Sequence, residues 1–392
     1  MQDSASDNRY KDTGPKSNAF KASEKLYKAC SSVDEALALG AIDFTSACVF
    51  PAITVNEVRI LDKCCQAYTI AGYEGAYVIS QALHRRQQVE LVYNALKESL
   101  APPNRTNLHC HYAPEQIETD LQDIWSKDGP KLDEFDVCEE SNVDDSPQLD
   151  AANIFIGADA ISDISRKKKH TNSESREGPR LPSHLTLSKV RWATLGFQYD
   201  WTARNYNNAA YVPFPAQLGE LARQLASACG AGFTIKPEAA IVNFYPLGQT
   251  MGGHVDDGEE ALHCPVVSMS IGPSCIFLLG GATKDDTPIA VLLRSGDVLV
   301  LGGEARLKFH GVPKVFVSDG PPANVLPCTA GDEPIHCSGC PHFLALNAAH
   351  DGQTCSCGHV SVQEIQRALK VIYCCRVNIN LRQVYKDASP VI

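Results

Sequence analysis

Short apolar runs separated by turn residues dominate the chain from Ala239 onward. The runs are rich in β-branched and large aliphatic side chains, and Gly, Pro, Asp or Ser stands between them. They are AAIVNFY (Ala239–Tyr245), VVSMSI (Val266–Ile271), SCIFLL (Ser274–Leu279), PIAVLL (Pro288–Leu293), DVLVL (Asp297–Leu301) and a last strand, RVNINLR (Arg376–Arg382). Several short strands spaced roughly ten residues apart are typical of a sandwich or jelly roll.

Four segments show the features of amphipathic helices. Tyr77–Leu100 has apolar residues at helical spacing and ends before two prolines, and a second helix is expected over Pro114–Trp125. Pro215–Cys229 stops at a glycine, and Ser361–Tyr373 begins with a capping box. Strands and helices together predict an α+β fold in which the helices support the strands.

The residue composition and charge of the sequence change near residue 132 and again near residue 179. Eight acids and no base occur between Leu132 and Asp150, and the basic run RKKKH follows at Arg166–His170. Such charge blocks bury too little apolar surface to offset the entropy of ordering. We therefore predict an N-terminal helical extension over 1–131, a disordered charged insert over 132–179 and a main domain over 180–392. The basic run is either a solvated linker or a nuclear-import or nucleic-acid-contacting patch.

Composition narrows the class of protein. The 392 residues carry a net charge of −11, the wrong sign for binding nucleic acid through bulk charge, but the acidic stretch supplies most of it. Sixteen cysteines without an apolar signal segment favour a reduced intracellular compartment, with nucleus, cytoplasm and mitochondrion all open. The chain lacks an apolar run of about 18 residues, which predicts no membrane span. We expect a monomer.

The segment NFYPLGQTMGGHVDDGEE places His254 and Asp256 two residues apart, a spacing that puts both side chains on one face of an extended strand. His310 follows after four intervening strands, at the predicted end of a strand. Two histidines and one carboxylate form the facial triad of non-haem iron(II) oxygenases, which leaves coordination positions open for a cosubstrate and dioxygen. A keto-acid cosubstrate with a second carboxylate needs a buried cation, and Arg376 is the candidate.

The whole motif set resembles the AlkB family of iron(II)- and 2-oxoglutarate-dependent dioxygenases, and within it the AlkB homologue one type. The motifs are Asn243-Phe-Tyr245, His254-Val-Asp256, His310 and Arg376-x5-Arg382, in the family's order, and the similarity runs from about Leu187 to Arg382. The resemblance implies a double-stranded β-helix (jelly-roll) dioxygenase core. It further implies that His254, Asp256 and His310 bind Fe(II), that Arg376 and Tyr245 hold the distal carboxylate of 2-oxoglutarate, and that Arg382 and Asn243 lie near its keto-acid end.

Substrate contacts are expected from aromatic side chains, because an enzyme acting on a base must hold it outside the base stack. Phe197, Tyr199 and Trp201 occupy the segment that forms the nucleotide-recognition lid in the family, and alternation points all three to one side if the segment is extended. Otherwise they are core residues of the lid. Glu259 matches an acidic position of the subfamily and is predicted to contact the base edge.

A cysteine-rich insert at about 318–360 separates His310 from Arg376. Cys337-x2-Cys340 and Cys355-x-Cys357 form two close pairs that could hold a structural zinc ion. The alternative is a loop with reduced cysteines.

Three functions compete at this level. The first is oxidative demethylation of N-methyladenine, or oxidation of methylcytosine, in tRNA and possibly DNA. Such an enzyme binds Fe(II), consumes 2-oxoglutarate and O2, and releases formaldehyde, succinate and CO2. The second is the same oxygenase core acting on a protein substrate such as histone methyl-lysine, which the overall acidity favours. The third is a non-catalytic binding module, for which the metal and cosubstrate residues have no use.

Overall fold

A computed structural model describes residues 18–45, 53–60, 63–110, 189–201, 203–317, 335–336, 343–344, 368–369 and 371–386. Four α-helices are complete within these ranges: α1 (Ala19–Lys28), α2 (Val33–Ala38), α3 (Arg85–Lys97) and α4 (Ala216–Ser227). Residues 368–369 and 371–374 are also helical, at the end of the predicted helix Ser361–Tyr373. The helix predicted over Pro114–Trp125 lies outside the described residues.

In chain order the strands are β1 (Ile53–Ile60), β2 (Lys63–Ile70), β3 (Ala76–Ser80), β4 (Trp192–Asp200), β5 (Asn205–Tyr211), β6 (Ala239–Pro246), β7 (Met251–His254), β8 (Val266–Ile271), β9 (Cys275–Leu279), β10 (Ile289–Leu293), β11 (Val298–Leu301), β12 (His310–Val315), β13 (Ile335–His336), β14 (Phe343–Leu344) and β15 (Cys375–Arg382). Six of the strands, β6, β8, β9, β10, β11 and β15, correspond to the apolar runs of the sequence.

Two antiparallel sheets form the core. The larger has the order β1-β2-β3-β11-β8-β15-β6-β4-β5, the smaller has the order β10-β9-β12-β7, and β13 pairs with β14. Alternate residues of one strand face different neighbours, as the pleat requires. On β9, Phe277 and Leu279 pack with Leu299 of the larger sheet, whereas Ile276 and Leu278 pack against α1 and α2.

Helices cover the outer faces of both sheets. Phe20 and Tyr27 of α1 lie against the smaller sheet, while Val92 of α3 and Leu225 of α4 lie against the larger one. The described residues contain no helix long and apolar enough to cross a membrane. Strands β7 and β12, which carry His254 and His310, are therefore held between the inter-sheet core and the N-terminal helices.

The predicted secondary structure of the N-terminal segment is wrong at two points. Residues 53–80 form three strands that extend the larger sheet, although 1–131 was predicted to be a helical extension. The first half of β1 is largely exposed because β1 is an edge strand, so it lacks the apolar alternation that marks a half-buried strand. Likewise Tyr77–Ser80 belongs to β3, and the helix predicted over Tyr77–Leu100 begins only at Arg85, where His84 and Gln87 form a capping box.

Candidate iron and 2-oxoglutarate site

His254 ends β7 and His310 begins β12, and the two residues are direct partners in the antiparallel ladder. Their ring centroids lie 4.4 Å apart. Asp256 follows just beyond β7, with Oδ1 3.8 Å from Nε2 of His254 and Oδ2 3.8 Å from Nε2 of His310. The three ligand atoms lie within 4.8 Å of one another, so the predicted triad is brought together. His310 stands at the start of a strand, contrary to the prediction that it ends one.

Backbone carbonyl groups fix the orientation of both imidazoles. Nδ1 of His254 contacts the Gly252 carbonyl oxygen at 2.9 Å, and Nδ1 of His310 contacts the Lys308 carbonyl oxygen at 3.1 Å. Because a carbonyl only accepts, each Nδ1 must be the donor, and each Nε2 keeps its lone pair for a metal. Burial, and then the neighbouring His254, lower the pKa of His310 to about 4, so its imidazole is neutral at neutral pH.

Asp256 is held ionised by a buried cation. Burial alone would raise its pKa, but Arg382, followed by the two histidines, lowers the pKa of Asp256 well below its usual range. The Arg382 guanidinium donates to Asp256 Oδ2 at 3.0 Å and to Glu259 Oε1 at 2.8 Å. Arg306 donates to Glu259 Oε2 at 2.8 Å and to the Asp256 carbonyl oxygen. Two acids and two arginines thus form one paired network behind the triad.

Arg376 is directly opposite Tyr245 in the ladder between β15 and β6. Both residues line a cavity that also contains the triad. Arg376 is 2% exposed; it donates to Ser270 Oγ at 2.7 Å and to the Pro273 carbonyl oxygen at 3.4 Å. Its Nε, although buried, has no hydrogen-bond partner among the described residues. An unpaired guanidinium donor in a cavity is what an acidic ligand requires. Burial raises the pKa of Tyr245, which therefore keeps its hydroxyl proton and can donate it.

A cavity of about 850 Å³ connects the triad to Arg376. Asn243, Tyr245, Arg376 and Arg382, the four residues predicted to bind the cosubstrate, all line it. Asn243 donates to Asn378 Oδ1 at 3.4 Å on the neighbouring strand β15. The donor set suits a divalent iron, since two imidazoles and one carboxylate leave half of an octahedral sphere open, and the unpaired arginine suits a carboxylate-bearing cosubstrate.

Two of the three predicted substrate aromatics reach the cavity and one does not. Tyr199 and Trp201 line it, with ring centroids 4.8 Å apart. Phe197 instead packs against Tyr211 and Tyr385, at 4.7 Å and 4.9 Å between ring centroids. The ladder between β4 and β5 shifts its register between Phe197 and the next residue. The extra residues of this irregularity lie on β5, and the contacts with Tyr211 and Tyr385 hold the Phe197 ring outside the cavity.

Glu259 does not occupy the predicted place either. Its side chain has no exposed surface, and both carboxylate oxygens accept hydrogen bonds from arginines, with Tyr206 donating to Oε1 at 3.1 Å. The prediction that Glu259 contacts a base edge is therefore wrong for this structure. Its position makes it the counter-ion that keeps Arg382 in place beside Asp256.

Several residues at the cavity are not among those predicted from the sequence. Trp192 lines the cavity, and its ring lies 5.1 Å from that of Trp201. Glu24 of α1 also lines the cavity, and Arg306 pairs with Glu259 behind it. Only pairing between distant strands and helices reveals these contacts. The four cysteines predicted to hold zinc, Cys337, Cys340, Cys355 and Cys357, lie outside the described residues.

Comparison with known proteins gives a consistent family assignment. The family model described as 2OG-Fe(II) oxygenase superfamily matches residues 156–382, so the match begins inside the segment predicted as an insert. "DNA N(6)-methyladenine demethylase ALKBH1A" of Arabidopsis thaliana is 34% identical over 320 residues, covering 81% of this chain and 77% of that protein. "Nucleic acid dioxygenase ALKBH1" of Homo sapiens is 31% identical over 319 residues, covering 81% and 66%. "tRNA demethylase abh1" of Schizosaccharomyces pombe is 40% identical over 144 residues, covering 36% and 48%.

Proposed function

The chain belongs to the 2OG-Fe(II) oxygenase superfamily, and on that premise we propose that it oxidatively demethylates N-methyladenine, or oxidises methylcytosine, in tRNA and possibly DNA. The observation that carries the proposal is the His254–Asp256–His310 triad opening into a cavity with aromatic walls. We take the two-sheet core to be the double-stranded β-helix of this family, with the N-terminal helices packed on its outside.

The protein supplies orientation and a dry site. His254, Asp256 and His310 hold the metal, and Arg376 with Tyr245 holds the distal carboxylate of 2-oxoglutarate. When bound, Fe(II), 2-oxoglutarate and O2 would supply the oxidation of the N-methyl group: O2 is the oxidant, 2-oxoglutarate would be converted to succinate and CO2, and the methyl carbon would leave as formaldehyde. Arg382 keeps the Asp256 carboxylate ionised and aimed at the metal position. Asn243 lines the same cavity and would orient the keto-acid group.

Trp192, Tyr199 and Trp201 form a substrate wall beside the triad. Bases stack on such aromatic faces irrespective of their sequence, at about 1–3 kcal/mol per base. The indole Nε1 of Trp201 is buried and has no hydrogen-bond partner among the described residues. Nucleic acid is favoured over histone methyl-lysine because the three relatives named above carry nucleic-acid activities in their names.

The test is direct product analysis with the purified full-length protein, Fe(II), ascorbate and 2-oxoglutarate. Methylated tRNA, methylated DNA oligonucleotides and methyl-lysine peptides are compared as substrates. Modified nucleosides are quantified by mass spectrometry, and succinate and formaldehyde are measured in the same reactions. We expect loss of a methylated base, with stoichiometric formaldehyde if the substrate is N-methyladenine and an oxidised cytosine if it is methylcytosine. A protein that binds metal and cosubstrate but demethylates only the peptide would show that the substrate class is wrong.

Salt dependence gives a second check of the substrate class. A nucleic-acid substrate held partly through phosphates loses affinity steeply as salt is raised. We expect the KM for tRNA or DNA to rise with salt while the KM for 2-oxoglutarate, which binds in the buried cavity, changes little.

A further inference from the structure

β7, the strand that carries His254, lies at the edge of its sheet and pairs only with β12 among the described strands. Its other edge faces helix α1, which precedes it by more than two hundred residues. The backbone N–H of Gly253 donates to Glu24 Oε1 of α1 at 2.6 Å. A helix carboxylate therefore takes the place of a neighbouring strand at this edge.

Helix α1 packs closely against β7 because two glycines leave room for the ring of its Phe20. Phe20 is 1% exposed, and a Cβ added at Gly253 would lie 2.5 Å from its ring. A Cβ at Gly280, just after β9, would lie 2.9 Å from the same ring. Glu24 stands one helical turn after Phe20, on the same face of α1. Its other oxygen, Oε2, lies 3.4 Å from Lys21 Nζ, and its side chain is 12% exposed.

The Gly253 N–H belongs to the same peptide group as the Gly252 carbonyl, and that carbonyl accepts from Nδ1 of His254 at 2.9 Å. One peptide plane therefore links the Glu24 carboxylate to the imidazole. A hydrogen bond to the N–H of a peptide polarises its carbonyl and makes it a stronger acceptor. Partners of this kind orient a ligating imidazole and raise its strength as a ligand.

We propose that Glu24 is a positioning residue for the metal centre, acting on His254 through the Gly252–Gly253 peptide. The inference rests on the proposed function only in taking His254 as a metal ligand. Carboxylate–histidine–metal arrangements usually have a direct contact between the acid and the ring. Here the acid lies on the N-terminal helix and the peptide group carries its effect, which makes α1 a part of the site.

Titration of Co(II) into the metal-free, tag-free full-length protein, followed by calorimetry, tests the proposal without any turnover. We compare Glu24→Ala, Glu24→Gln and, as a control on the same helix, Lys25→Ala, whose side chain is exposed. Loss of such an outer partner costs about 10- to 100-fold in metal affinity. We expect Glu24→Ala to raise the Kd for Co(II) about tenfold. Glu24→Gln, which keeps an acceptor oxygen at the same reach, and Lys25→Ala should stay near wild type.

Urea unfolding of the metal-free variants separates positioning from mere support of the fold. If Glu24→Ala is destabilised but binds Co(II) as tightly as wild type, the proposal is overturned; it is overturned as well if Glu24→Gln binds as weakly as Glu24→Ala. Should Glu24→Ala fail to fold, Glu24→Asp takes its place, because its carboxylate is one methylene short of the Gly253 N–H.

The outcome also distinguishes this proposal from the proposed function. A wild-type protein that binds Co(II) and 2-oxoglutarate but demethylates no nucleic acid contradicts the substrate assignment and leaves the role of Glu24 standing. Equal Co(II) affinity in all variants contradicts only the role of Glu24. A wild-type protein that binds no metal contradicts both the proposed function and the role of Glu24.

Discussion

Arg382 and Asp256 are 126 positions apart in the chain and form a buried salt bridge of 3.0 Å between Nη2 and Oδ2. The same Oδ2 is the oxygen that lies 3.8 Å from Nε2 of His310. The Asp256 carboxylate, the proposed metal ligand, is therefore oriented from β15, the strand that also carries Arg376. The proposed metal site and the proposed cosubstrate site are therefore both supported by β15.

Asp256→Ala removes a metal ligand and one counter-ion of Arg382 together. We expect no detectable turnover and no thermal stabilisation by added Co(II). Wild type should gain about 2.7 kcal/mol at a metal concentration one hundred times its Kd. Thermal unfolding with and without metal measures this difference. A variant still stabilised by metal to the wild-type extent would show that Asp256 is not a ligand.

Arg376→Lys tests the cosubstrate end of the cavity. Lysine keeps the charge but loses the planar fork and the unpaired Nε, so a bidentate contact to a carboxylate is lost. Hydrogen bonds to charged groups contribute about 1.5–3 kcal/mol, which predicts a rise in the KM for 2-oxoglutarate of about 10- to 100-fold. Succinate release as a function of 2-oxoglutarate concentration measures it. The matched control is Arg223→Lys, an exposed residue of α4, and an unchanged KM in Arg376→Lys would refute the assignment.

Glu259→Ala leaves two buried arginines, Arg306 and Arg382, without a shared counter-ion. Breaking a buried pair by removing one partner costs about 3–5 kcal/mol. Urea unfolding should show that loss, and activity should fall with it because Arg382 no longer holds Asp256. The control is Glu220→Ala, whose pair with Arg223 is exposed and contributes about 0–1 kcal/mol. Similar small losses in both variants would contradict the buried network.

Trp201→Ala and Phe197→Ala separate the substrate wall from the hydrophobic packing beside it. Trp201 lines the cavity, so its loss should weaken binding of a methylated oligonucleotide by about 1–3 kcal/mol, the contribution of one stacked base. Phe197 packs against Tyr211 and Tyr385, so its loss should lower the free energy of unfolding and leave binding near wild type. Fluorescence anisotropy with a labelled oligonucleotide measures binding. Equal weakening by both variants would place Phe197 in the site after all.

Much of the core could be predicted because its strands are buried on both faces. β8, β9 and β11 read as continuous apolar runs bounded by turn residues, and their observed ends differ from the predicted ones by at most one residue. β1 could not be found in this way, since an edge strand with half its surface in water carries no such signal. Phe197 could not be told apart from Tyr199 and Trp201, because its packing partner Tyr385 comes from a distant segment of the chain.

The sequence by itself determined the chemical inventory: two imidazoles, a carboxylate and two arginines in a family's order, on strands whose apolar side chains required two packed sheets. Only the tertiary structure decided what each group faces. Glu259 is a counter-ion of Arg382, and Trp192 lines the cavity. Glu24 accepts a hydrogen bond from the N–H of Gly253, which is 229 positions away in the sequence. The reason is physical: local propensity depends on near neighbours, whereas the partner of a buried charge or an unpaired edge N–H is chosen by which distant segments pack together.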